Sequence, residues 1–399
     1  MLPSLGILFL VGLSLAGIFK RLKLPRLVGM LLTGILLGPY VLNVLDASIL
    51  GISAELRRLA LVIILTRAGL SLNFRDLLAV GRPALLLSFL PATFEILAYT
   101  GLALGIFGIS YMEAALMGAV LSAVSPAVVV PKMTEMIDKK IGTGKCIPQM
   151  ILAGASLDDA FVIVCFSSIL NMAQGLQPNA MAIAKVPLSI IVGVFLGFLS
   201  GLLLFSFFEY AHTAGYAVKN SMKLLVILSI SLLLISAEEL LKDIVPISGL
   251  PAVMAMGMTI AWKCPPRVTS RLKEKYGKIW LAAEVLLFVL VGAAVDIRYT
   301  LQAGPKAVLM IILALFIRSL GVWLCTVKTT LTKKERVFCI LAYLPKATVQ
   351  AAIGSVPLAA GLPCGNLILS TAVLAILITA PLGAILIDYG CKRLLDIPA

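Results

Sequence analysis

Two adjacent carboxylates, Asp158 and Asp159, interrupt an otherwise apolar run in the stretch ASLDDAFVIV, residues 155–164. An ionised Asp at the centre of a membrane helix costs about 2.5–3.5 kcal/mol even on a lenient insertion scale. Side by side in a low dielectric the two resist ionising together. The pair is therefore expected to hold a proton near neutral pH and to yield it when a cation arrives. Adjacent helical residues point about 100° apart, so one Asp can take a basic partner while the other faces a water-filled cavity. The implied chemistry is mutual exclusion of H⁺ and a small cation at one set of oxygens.

Three more charges sit deep in apolar runs: Glu95, Arg318 and Lys346. Each of the five lies roughly ten residues from the start of its run. At ~1.5 Å per residue that is roughly 15 Å, half of a ~30 Å hydrocarbon core. Charges of both signs at one depth read as a network. For Glu95 and Arg318 the competing role is a buried pair that only holds helices together. Ser125 beside Pro126, with the carbonyls of a helix break, can supply oxygen ligands to a cation, or its hydroxyl can bond back to its own helix. Lys346 beside Pro345 can neutralise the carbonyl ends left where two helices break at the midplane. Arg67, Glu238, Glu239 and Glu284 lie nearer the ends of their runs, where long side chains reach the interface.

The elements that must position these residues are membrane helices. The chain of 399 residues is 61% hydrophobic and 13% charged, with mean hydropathy +1.08. A soluble domain is nearer half apolar and a quarter charged. The pattern is that of an all-α polytopic membrane protein, a single membrane unit over 1–399. Thirteen spans are expected at about 2–19, 27–45, 56–72, 84–108, 114–131, 148–173, 187–211, 223–240, 247–262, 279–296, 307–327, 337–360 and 367–388. The first is read as a retained span, because its positive charges follow the apolar core instead of preceding it. Most of the 33 Lys and Arg fall in loops after odd-numbered spans. That bias puts the N-terminus outside and the C-terminus in the cytoplasm of a cell membrane. The net charge of +14 is thereby assigned to topology, including the expected loop KCPPRVTSRLKEKYGK at 263–278, and not to nucleic acid. Seven cysteines without a C-x-x-C pair, and a single His212 placed in a loop, suggest neither a disulfide framework nor a metal site, and no cofactor. GILLGP, 34–39, reads as close helix packing.

The chain also repeats internally. LSAVSPAVVVP in the fifth span and YLPKATVQAAIG in the twelfth are both broken by proline, at Pro126 and Pro345. Nearly the same shift relates the starts of spans one and eight (2 and 223) and of spans six and thirteen (148 and 367). Seven spans separate each pair, so two six-helix repeats would be inverted, with crossed broken helices. Paired broken helices in inverted halves point to a transporter binding site.

ILAGASLDDAF, AVSPAVVVP, IRSLG and LPKATVQAAIG together resemble the monovalent cation/proton antiporters, most closely their NHA branch, the sodium/hydrogen exchanger 9B type. The resemblance covers nearly the whole chain. It implies a thirteen-helix NapA/NhaA-like fold, a homodimer, and exchange of Na⁺ or Li⁺ for H⁺ by an elevator-like motion. Residues 1–83 and 223–296 would form the dimer scaffold, 84–173 and 307–388 the moving core, and 187–211 a linker helix. Asp159 would be the main ion and proton carboxylate with Asp158 beside it. Lys346 and Ser125 would belong to the crossover, and Arg318 would stand where electrogenic members carry lysine. Arginine does not release its proton at ordinary pH, so a permanent Arg318–Glu95 pair and electroneutral exchange are expected.

Two other transporter readings compete. A potassium/proton antiporter would share the fold, although such systems often carry nucleotide-binding domains that the short tail after span thirteen does not suggest. A sodium-coupled organic-anion symporter would use paired crossovers without a titrating Asp pair. A membrane enzyme would need a nucleophile, base and acid set, and none stands out.

Overall fold

The computed structural model describes residues 1–22, 24–71, 81–174, 180–216, 218–241, 245 and 247–395, and every regular element among them is helical. Within these limits the side chain of Glu239, which sequence placed at a membrane edge, lies outside the described residues. Among the described residues nine helices are long and apolar enough to cross a membrane: Leu2–Arg21, Arg82–Phe107, Tyr111–Ile137, Ile147–Ala173, Ile191–Thr213, Asn220–Glu238, Pro266–Ala293, Gly304–Thr326 and Gly365–Leu394.

The other four expected spans differ for physical reasons. Arg26–Leu37 has only 12 residues before Gly38 turns extended, and Gly249–Lys263 has 15. Ser53–Ser71 is long enough but carries Glu55, Arg57, Arg58 and Arg67. The twelfth is broken into Lys333–Ala342, Thr348–Ile353 and Val356–Ala359.

Two sequence readings are corrected. Residues 266–278, expected as a loop, form the first half of the helix Pro266–Ala293. Proline is pre-organised for a first helical turn, and Arg, Lys and Glu are good helix formers. Their charge makes the segment polar without unwinding it, and Glu274 pairs with Lys278 one turn on at 2.8 Å. His212 sits in the last turn of the helix Ala180–Thr213, not in a loop.

The chain divides into two compact units, one of Met1–Ala54, Asp76–Gly175 and Val285–Ala399, the other of Glu55–Arg75 and Leu176–Glu284. In the second, small residues let backbones meet: a Cβ on Gly69 would lie 3.2 Å from Gly257 Cα. Thr66 and Ser231 meet there at 3.2 Å, and Glu238 accepts the Gly249 N–H at 2.9 Å. In the first, GILLGP packs tightly, and a Cβ on Gly38 would stand 2.9 Å from Ala293 Cα.

The first unit holds all the deep charges. Seven of its helices are labelled here: α1 (Leu90–Phe107), α2 (Tyr111–Leu121), α3 (Pro126–Asp138), α4 (Ile147–Ala173), α5 (Ile297–Thr326), α6 (Lys333–Ala342) and α7 (Gly365–Leu394). Both broken spans begin alike. Ser110 caps α2 in a reciprocal box with Glu113, and Thr332 caps α6 in one with Glu335. Both end where proline forbids continuation. Ser125 precedes Pro126 and is extended at φ −90, ψ 109. Pro345 has no N–H and pushes Leu344 away from the helical region, so α6 stops at Ala342.

Candidate functional site

The site is built where the two breaks cross. The backbone N–H of Ser125 donates to the carbonyl of Pro345 at 2.8 Å, tying one unwound segment, residues 122–125, to the other, residues 343–347. Gly383 on α7 has no side chain to collide with the Pro345 ring, and Thr379, one turn earlier, accepts the Lys346 N–H at 2.9 Å. Close packing also brings α1 in. A Cβ on Gly118 of α2 would sit 2.8 Å from the Ile96 carbonyl, and one on Gly321 of α5 would sit 3.0 Å from Pro91 Cα. Small residues at these two points let Glu95 on α1 reach Arg318 on α5.

Breaking α2 leaves its last carbonyls without helical donors, and charged side chains fill part of that need. Arg318 Nη1 donates to Glu95 Oε2 at 2.6 Å and to the Ser122 carbonyl. Its Nε donates to the Tyr343 carbonyl at 2.9 Å, and the guanidinium lies 5.6 Å from the centre of the Tyr343 ring. Lys346 Nζ donates to the same Glu95 oxygen at 2.5 Å and to Ser122 at 3.2 Å. All three charged side chains are buried.

The two aspartates on α4 are treated differently. Asp158 Oδ2 accepts the Val124 N–H at 2.7 Å and Arg318 Nη2 at 3.4 Å. The Oδ1 atoms of both aspartates, Glu95 Oε1 and Ser125 Oγ have no hydrogen-bond partner among the described residues, so the difference between the aspartates lies in the bonds that Asp158 makes through Oδ2. Both aspartates are buried, Asp158 completely and Asp159 to within 5%. Among the described residues no group of three or more His, Cys, Asp or Glu has metal-holding geometry.

A family model described as "Sodium/hydrogen exchanger, transmembrane" matches residues 6–388. The chain belongs to the sodium/hydrogen exchanger family. It is 33% identical over 358 residues to sodium/hydrogen exchanger 9B2 of Xenopus tropicalis, covering 86% of this chain but 64% of that protein. It is 32% identical over 411 residues to the 9B2 protein of Mus musculus, covering 98% and 74%. The fold matches that of the sodium proton antiporter MjNhaP1 from Methanocaldococcus jannaschii, with TM-score 0.83, 21% identity and 98% of each chain covered. This member of the exchanger family is thus an all-helical, multi-pass membrane protein.

Within this exchanger the structure brings Glu95, Asp158, Arg318 and Lys346 into one bonded cluster, with Asp159 next to it on α4 and Ser125 at the crossing. Sequence reading expected carbonyls exposed by the breaks but did not identify them as those of Ser122 and Tyr343, and it missed the Val124 N–H, Thr379 and Gln350. Backbone groups leave no trace in residue type. The signal available for the carbonyls was the break itself, since interrupting a helix must orphan several of them.

Proposed function

We propose that this chain is a secondary antiporter that exchanges Na⁺ or Li⁺ for H⁺ at Asp159, with Asp158 beside it. The observation that carries the reading is the charge balance of the cluster. Two carboxylates, Glu95 and Asp158, face two cations, Arg318 and Lys346, in direct contact. Asp159 is the fifth charge, and neither Arg318 nor Lys346 forms an ion pair with it in the described contacts. One proton or one alkali cation neutralises it, and either makes the cluster neutral.

Exchange follows from that balance. With neither ion bound, a net negative charge would have to cross the low-dielectric interior, which is costly. With either ion bound, the cluster crosses without net charge. The protein is thereby driven to move loaded, carrying cation one way and proton the other. The Ser125 hydroxyl supplies a neutral oxygen that suits a small hard cation. With Arg318 permanently charged and Lys346 keeping its proton against Glu95, one cation is traded for one proton and the exchange is electroneutral.

The architecture we propose has thirteen spans in two inverted repeats. The reciprocal caps at Ser110 and Thr332, and the breaks at Pro126 and Pro345, support that repeat. Residues 84–173 and 307–388 would carry the ion against a homodimeric scaffold of 1–83 and 223–296, linked by 187–211, in an elevator-like motion. The setting is a cell membrane with the N-terminus outside and the C-terminus in the cytoplasm.

The test is proton efflux from reconstituted vesicles when Na⁺, Li⁺ or K⁺ is added outside. The native protein is expected to respond and Asp159→Asn to be silent. Native-like exchange by Asp159→Asn would overturn the site.

A further inference from the structure

Three consecutive carbonyls stand where α2 gives way to the unwound segment: Leu121, Ser122 and Ala123. The charged side chains described above take only Ser122. The other two are taken by one neutral group. Gln350, on the short helix Thr348–Ile353 beyond the second break, donates through Nε2 to Ala123 O at 2.8 Å and to Leu121 O at 3.3 Å. The side chain is buried, and the two carbonyl acceptors fix which end of the amide faces them, because only the NH₂ end can donate.

We infer that Gln350 is a positioning residue of the exchange site: a charge-independent strap that holds the end of α2 against the second broken helix. The inference rests on the exchange reading for its transport consequences, and on the hydrogen bonds alone for its structural ones.

The physical argument turns on what each strap requires. Lys346 and Arg318 hold Ser122 through charged groups that also bind Glu95, so their grip responds to the charge of the cluster as ions come and go. Gln350 carries no charge, and its described hydrogen bonds go to backbone carbonyls and to none of the five charged side chains. It therefore holds residues 121–123 equally well with proton or cation bound. Those residues lead directly into Val124, whose N–H orients Asp158, and into Ser125. Losing the strap would leave two buried carbonyls unpaired and let the segment carrying these groups shift. Shifts of that size degrade a ligand set assembled from separate elements.

The test uses Gln350→Met, which keeps volume and removes donation, and Gln350→Glu, whose carboxyl can donate when protonated and not when ionised. The half-saturating Na⁺ concentration for proton release is measured in proteoliposomes across pH, each variant against native at the same pH. Gln350→Met is expected to raise it roughly tenfold at every pH, the scale of a lost buried hydrogen bond. Gln350→Glu, whose protonated carboxyl offers one donor where the amide offers two, is expected to fall between native and Gln350→Met at acid pH and to match Gln350→Met at alkaline pH. Thermal unfolding in detergent runs alongside and needs no exchange activity. There the gap between Gln350→Glu and native should widen with pH. A Gln350→Met variant within twofold of native, or a Gln350→Glu difference flat across pH in both assays, overturns the inference. If native protein releases no protons, the exchange reading fails while the unfolding arm still decides the strap.

Discussion

Asp158 accepts the backbone N–H of Val124 at 2.7 Å. The carboxylate on the sixth expected span is thus bonded to the unwound segment of the fifth. This bond and Arg318 share one oxygen, so Asp158 is structurally committed in a way that Asp159 is not. Asp158→Ala should therefore unfold far more readily than native protein. Removing one member of a buried charge pair costs about 3–5 kcal/mol. Asp158→Asn, which can still accept from Val124, should lose less stability yet still lose exchange. Thermal midpoints of the two variants, measured with vesicle proton flux, check both halves.

Replacing Arg318 with lysine tests why exchange would be electroneutral. Arginine reaches Glu95, Ser122, Tyr343 and Asp158 at once through its planar fork. Lysine cannot make all four contacts and can release a proton when its partner changes state. Native vesicles at symmetric pH and sodium are expected to pass no current under an applied potential. Arg318→Lys is expected to show voltage-sensitive flux, and a native current would count against one-for-one exchange.

A structural prediction follows from close packing. A Cβ on Gly118 would lie 2.8 Å from the Ile96 carbonyl, with Glu95 the preceding residue on α1. Gly118→Ala must push α1 from α2, at a cost of about 1–3 kcal/mol. Both the thermal midpoint and exchange should fall, because Glu95 moves with its helix. Gly101, inside the same helix with open space around it, is the control site, and Gly101→Ala should leave exchange unchanged and hold or slightly raise the thermal midpoint.

Much of this site was legible because an ionisable residue in an apolar run stands out. Glu95, Asp158, Asp159, Arg318 and Lys346 were found by depth alone, and Pro126 and Pro345 marked the breaks. The neutral half was less legible: the breaks announced exposed carbonyls without saying which. Gln350 looks like one polar residue among small ones, and the Ser122 and Tyr343 carbonyls belong to the backbone. The fold was legible where apolar runs are long and uninterrupted. It was misread where charge was taken for a loop, as at Arg267–Lys278, since helical hydrogen bonding does not depend on hydropathy.

Acid should loosen one contact outside the expected spans. Glu335 bonds Lys145 at 2.8 Å and accepts the Thr332 N–H at 2.6 Å. Burial pushes its carboxyl up, but Lys145 and Thr332 together hold it below the ordinary 4.5. A depressed carboxylate contributes stability that is complete above the unfolded value and is lost as pH falls through the folded one. From about pH 5 downward, native protein should lose its thermal advantage over Glu335→Gln, by about a degree or two given the partial exposure of Lys145. An advantage that grows on acidification would reverse the sign of this account.

The central claim is that one proton and one alkali cation compete for Asp159. Calorimetric Na⁺ binding to purified protein in two buffers of different ionisation heat, repeated across pH, measures cation affinity and protons released together. The account predicts that affinity weakens as the medium is acidified, approaching tenfold per pH unit, with about one proton leaving per Na⁺ bound. Sodium affinity that holds constant on acidification, or binding without proton release, would contradict it.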